Sequence, residues 1–128
     1  VTAHARTAAH PRAKDGLGRY GEQLAADHLV AAGLTVLARN WRCPRGELDL
    51  VARDGGTLVF VEVKTRTSTA YGHPAEAVGR AKSARIRRLA AAWLAESDRS
   101  WPEVRFDVVA VIRPRTGPAV IDHLRGVL

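Results

Sequence analysis

From Gly18 to Ala32, Gly21, Leu24, Ala25, His28, Leu29 and Ala32 recur at helical spacing, and Gly33 follows as the expected stop. The pattern predicts a first helix there. Leu34 to Asn40 predicts a short strand. Gly46 to Arg53 then alternates Leu48, Leu50 and Ala52 against Glu47, Asp49 and Val51, and Asp54-Gly55-Gly56 turns the chain. Thr57 to Thr65 is the clearest strand, with Val59, Val61 and Val63 on one face and Leu58, Phe60, Glu62 and Lys64 on the other. Residues 66 to 73 read as a loop. Pro74 can open a second helix because its missing N–H is not needed there, and that helix should run to about Ala95. Its stripe of Ile86, Leu89, Ala90, Trp93 and Leu94 keeps helical spacing. Val104 to Ile112 alternates again, and Ala119 to Leu124 is a weaker last strand. A crossover helix between a hairpin and the next strand normally makes that strand parallel, so an α/β fold with a mixed sheet flanked by helices is expected.

Length and charge narrow the class. A chain of 128 residues, 46% hydrophobic and 26% charged, suits one globular domain with a core that needs no disulfide or metal staple. Residues 1–16 carry Arg6, Arg12 and Lys14 against Asp15, with no large hydrophobic residue after Val1, and read as a disordered basic arm before a domain over 17–128. The single Cys43 has no partner for a disulfide. No apolar run approaches the length of a membrane span, and the basic N-terminus lacks a signal-peptide core, so a cytoplasmic protein without a membrane partner is expected. The net charge is +7, and most of it lies outside the arm, which favours a polyanionic partner such as nucleic acid.

Two familiar patterns lack their context. Gly16-Leu17-Gly18-Arg19-Tyr20-Gly21 has dinucleotide-site spacing, but a basic arm precedes it where a strand is required, and no acid stands near position 40 for the ribose. The five histidines are scattered, and Cys43 has no Cys or His partner at zinc spacing. Cys43 also lacks an identifiable base, so an inert thiol is expected.

Glu62-Val63-Lys64 is different, because two charges leave the core face together at the end of an apolar strand. If Gly55-Gly56 form a two-residue loop, paired positions sum to 111, which sets Asp49 opposite Glu62 and Glu47 opposite Lys64. Facing carboxylates destabilise a ladder by roughly 0.2 to 1 kcal/mol, so the arrangement asks for a cation. Mg²⁺ or Mn²⁺ held by carboxylates, water and a substrate phosphate meets that need, with a lysine at the attacking water. A solvated salt-bridge ladder on an exposed strand face meets it equally well. Spacing alone leaves both open.

Gly46-Glu47-Leu48-Asp49-Leu50-Val51 followed by Val59-Phe60-Val61-Glu62-Val63-Lys64-Thr65-Arg66 resembles the YraN-like uncharacterised family, whose members resemble Holliday-junction resolvases and nucleases of the PD-(D/E)xK superfamily. Gly21-Glu22-Gln23-Leu24-Ala25, Arg39-Asn40-Trp41-Arg42 and Arg105-Phe106-Asp107-Val108 are similar to that family too, so the likeness spans residues 17 to 124. It implies a restriction-endonuclease-like αβββαβ core. It also implies that Asp49 and Glu62 bind Mg²⁺ or Mn²⁺, that Lys64 assists the water, and that Glu22 adds a carboxylate from the first helix. The superfamily's usual proline before the aspartate is replaced by Leu48, a change that the superfamily tolerates.

Glu22 sits at the edge of the buried stripe, where it can face the sheet or simply complement the helix dipole. Arg80, Lys82, Arg85, Arg87 and Arg88 place five cations in nine residues, spread around the helix, and Lys82 lies nearest the expected cleft. Arg66, Arg80 and Lys82 are the candidate phosphate contacts. Trp41 is expected in the core, Tyr71 in a loop contact and Trp93 in the core. The expected function is a metal-dependent endonuclease acting on structured DNA, and a homodimer is compatible with it. The rivals are a non-catalytic nucleic-acid-binding module on the same fold and a protein whose basic helix docks an acidic partner.

Overall fold

The computed structural model describes residues 16–68 and 79–128. The expected arm therefore lies outside the described residues except for Gly16, which already belongs to the first helix, and Tyr71 and Pro74 lie outside them as well. The elements are α1 (Gly16–Ala31), β1 (Thr35–Cys43), β2 (Gly46–Asp54), β3 (Thr57–Arg66), α2 (Arg80–Ala95), β4 (Glu103–Ile112) and β5 (Val120–Leu124). They form one five-stranded sheet in the order β1-β2-β3-β4-β5. Only β3 and β4 run parallel, as the crossover through α2 requires, and the other neighbours are antiparallel. The expected mixed sheet flanked by helices is what the chain forms.

The first strand is longer than expected. It continues past Asn40 to Cys43 and turns directly into β2, because Trp41 is almost wholly buried and pairs with Leu48. Gly33, in the left-handed region at φ 97, ends α1 where the pattern placed its stop.

Each face of the sheet carries its own core. Against α1 lie Leu50, Ala52, Val59, Val61, Val109 and Val111 with Ala25, Ala26 and Leu29. Against α2 lie Trp41, Leu48, Val51, Leu58 and Phe60 with Ile86, Leu89, Ala90 and Trp93, the predicted stripe. A sheet covered on both faces explains why β2 is buried at five consecutive positions and does not simply alternate in and out.

The helix α1 lies unusually close to β3. A Cβ on Gly21 would collide with Thr65 Oγ1 and stand 2.9 Å from Thr65 Cβ and Cγ2. Glycine permits that approach, and it sets the neighbouring Glu22 against the sheet, with only 8% of its surface exposed.

Candidate active site at a fork in the sheet

The hairpin β2–β3 has the expected register, with Leu50 opposite Val61 and Asp54 opposite Thr57, every pair summing to 111. The ladder then stops. Asp49 and Glu62 are not ladder partners, nor are Glu47 and Lys64, so the expected facing pairs are corrected. Beyond Leu50, β2 stays paired to β1 as far as Cys43 and Gly46, while β3 stays paired to β4 as far as Arg66 and Ile112. The sheet forks between β2 and β3, and Asp49 stands at the branch point.

Parting strands leave backbone donors without a partner strand, and Asp49 answers one of them. Its Oδ2 accepts the Val63 N–H at 2.8 Å, spanning the start of the gap. The carboxylate itself is buried, 8% exposed. A buried carboxylate without a donor would be costly, and this bond supplies one from the β3 backbone.

On the β3 arm, Glu62 and Lys64 share the side that faces α2, as alternation from Phe60 requires. Lys64 Nζ lies 3.2 Å from Glu62 Oε2, and Lys82 Nζ, from the first turn of α2, lies 3.0 Å from the same oxygen. Lys82 thus reaches Glu62, a partner that the basic-helix reading missed. Burial pushes the Lys64 ammonium below the ordinary lysine range, and the Lys82 cation adds to this while Glu62 opposes it. Burial also disfavours charge on Lys82, but the Lys64 amine and Glu62 outweigh it and hold Lys82 above the ordinary range. Of the two amines, Lys82 therefore keeps its proton more firmly.

A cavity of about 400 Å³ opens beside the fork, lined in part by Gly18 and Glu22 of α1 and by Val63, Lys64 and Arg66 of β3. Arg66 is exposed at its rim and donates to the Thr65 carbonyl at 2.9 Å. Across it, Asn40 donates to Glu22 Oε1 at 2.8 Å and to Glu47 Oε2 at 3.2 Å when its amide nitrogen faces both. Arg42 Nη2 lies 3.7 Å from Glu47 Oε1. The Arg80 side chain lies outside the described residues.

Among the described residues, no three His, Cys, Asp or Glu side chains converge to hold a metal. Glu22, Asp49 and Glu62 therefore do not form a three-acid cage. The donor set instead suits a hydrated divalent ion, which takes one or two carboxylates and completes its shell with water and phosphate. Asp49 and Glu62, on opposite arms of the fork, are the residues that would hold it.

A third buried carboxylate has a different character. Asp107 of β4, wholly buried, accepts from Arg105 Nε at 2.9 Å and from the Gly126 N–H at 2.9 Å, and lies 2.8 Å from His123 Nε2. These contacts all face protein, so it braces β4 to the chain after β5.

A family model described as the uncharacterised protein family UPF0102 matches residues 21–111, a span holding Glu22, Asn40, Asp49, Glu62, Lys64 and Lys82. The chain belongs to the UPF0102 family. A UPF0102 protein of Beutenbergia cavernae is 68% identical over 116 residues, covering 91% of this chain and 98% of the relative. One from Frankia casuarinae is 62% identical over 115 residues, 90% and 98% of the two chains, and one from a Nocardioides species is 54% identical over 114 residues, 89% and 92%. The YraN-like resemblance is thus upheld as membership of UPF0102. No described helix is long and apolar enough to cross a membrane.

Proposed function

We propose that this UPF0102 protein is a metal-dependent endonuclease that hydrolyses phosphodiester bonds in structured DNA, branched or single-stranded, on a restriction-endonuclease-like core in the cytoplasm. The observation that carries the reading is the fork, with Asp49 on one arm and Glu62 and Lys64 on the other, and with Lys64 and Glu22 lining an open cavity. A bound Mg²⁺ or Mn²⁺ supplies neutralisation of phosphate charge and a more acidic water. Asp49 and Glu62 would hold it, with Glu22 as a further acid at the cavity wall. Lys64, 3.2 Å from Glu62, is placed to orient the attacking water and to offset charge on the phosphate. Arg66 at the rim and Lys82 on α2 would bind the DNA backbone, contacts that position without reading sequence.

One observation favours a second reading. Both lysines already neutralise Glu62, as in a ladder of salt bridges, and that suits a nucleic-acid-binding module without catalysis.

Labelled branched, duplex and single-stranded DNA, with and without Mg²⁺ or Mn²⁺, separates the two. Asp49→Asn and Glu62→Gln should abolish metal-dependent cleavage, while binding in metal-free buffer holds or tightens because carboxylates repel phosphate. Lys64→Ala should lose cleavage yet keep the rise in unfolding midpoint that the metal gives the parent. A parent chain with salt-sensitive DNA binding but no cleavage and no midpoint shift at millimolar Mn²⁺ establishes the binding module.

A further inference from the structure

Asn40 is the only non-glycine residue at positive φ among the described residues, at 52°, inside a β-strand. Asparagine is one of the few side chains that tolerate this left-handed region, and strands normally exclude it. Such a conformation persists only where its surroundings enforce it, and it concentrates at functional sites.

The backbone turn has a visible result. In a regular strand, residues on one face are an even number apart. Here Ala38 and Trp41 both pack on the α2 side, and in β2 Leu48 and Val51 do the same, while Leu50 goes to the α1 side. The flanking pairs Arg39 with Leu50 and Trp41 with Leu48 keep one register, so the face changes at Asn40 and Asp49 together. Both strands are re-aimed at the level of the fork, and the Asn40 amide is brought to Glu22 and Glu47.

We propose that Asn40 is a positioning residue, whose left-handed backbone and amide donors tie Glu22 of α1 to Glu47 of β2 and so present the Glu22 carboxylate to the cavity beside the fork. Two acids from separate elements repel one another unless a donor stands between them, and the Asn40 amide is that donor, with Arg42 offsetting Glu47 from the far side. Gly21 lets α1 approach closely enough for the bond to form. The inference rests on the hydrolase reading, in which Glu22 would be a further acid at the cavity wall beside the site of a hydrated ion.

Asn40→Gly keeps the left-handed backbone accessible and removes the amide, and Asn40→Asp keeps the shape and turns the donor into a third acid. In Asn40→Gly, kcat for Mn²⁺-supported cleavage should fall by about tenfold or more with KM for DNA changed by less than about twofold, the signature of a missing transition-state contribution. The Mn²⁺ concentration that gives half of the midpoint shift should rise severalfold. In a Glu22→Gln background the same substitution should add less than about twofold, because the residue it positions is already disabled. Equal losses in both backgrounds, or no loss in the parent, overturn the inference and leave the hydrolase reading standing. If Asn40→Gly does not fold, Asn40→Asp measured against Glu22→Gln decides the matter by the same comparison. A parent with neither cleavage nor a Mn²⁺ shift overturns the hydrolase reading and this inference with it.

Discussion

Two aspartates, both buried in the sheet, are used in opposite ways. Asp107 meets a guanidinium, an imidazole and a backbone N–H, and although burial disfavours its charge, those partners hold its carboxyl below the usual range. A carboxyl lowered in the folded state stabilises the fold above its unfolded pKa of about 3.9, and that contribution is lost as pH falls through the folded value. Urea unfolding of the parent between about pH 5 and pH 2, titrations set by that reference pKa, should therefore weaken more steeply than that of Asp107→Asn. At neutral pH the variant should be less stable by about 3 kcal/mol or more, since Arg105 and His123 lose a buried partner. Parallel pH curves would show that Asp107 contributes nothing through its charge. Asp49, by contrast, holds the amide of Val63, a residue that lines the cavity, and does so where the β2–β3 ladder ends. Alternation and the two-residue turn were enough to single out Asp49, Glu62 and Lys64 as candidates, and the family resemblance gave them their expected roles. Alternation was not enough for Asn40, because it presumes extended backbone, and Asn40 breaks that premise. An asparagine closing a predicted strand was the available signal.

Among the elements, the register of β2–β3 was legible because a two-residue turn sets it, and the fork was not, since hydrophobic patterning continues smoothly through the point where pairing ends. Leu48 and Leu50 looked like one face for the same reason. The close approach of α1 to β3 was likewise hidden, because Gly21 sits in a helical stripe like any small residue. Gly21→Ala should cost roughly 1 to 3 kcal/mol by overpacking against Thr65, read as a lower thermal midpoint. Thr65→Ala should recover part of that loss in the double variant. Strict additivity of the two substitutions would show that the helix accommodates the methyl elsewhere.

The whole molecule carries +7, and α2 concentrates cations without aiming all of them alike. Lys82 turns in to Glu62, and the exposed Arg87 has its guanidinium 4.5 Å from the centre of the Phe106 ring, which leaves Arg85 and Arg88, exposed as well, as the pair to remove. Removing both should weaken DNA binding uniformly across sequences and reduce the slope of log affinity against log salt by about 2, as each arginine neutralises one phosphate. An unchanged slope identifies a merely solvated face. The overall charge was readable from composition, whereas its division between inward and outward cations depended on where α2 docks.

The parting of the sheet also has a mechanical meaning. The arm that carries Glu62 and Lys64 is laddered to β4 along all ten residues of β3, whereas the arm that carries Asp49 is laddered only to the edge strand β1 and is held otherwise by side chains, Trp41 and Leu48 on α2 and the Asn40 amide on Glu22. The two halves of the site ride on bodies of unequal stiffness, and the hinge between them is the Leu50–Val61 pair. Widening the cleft breaks no rung of any ladder but does break side-chain bonds, that from the Val63 amide to Asp49 and that from Asn40 to Glu22. On the proposed nuclease reading, a strand of nucleic acid would be admitted by flexing the β1–β2 ribbon outward, with the lysine-bearing arm as the fixed jaw.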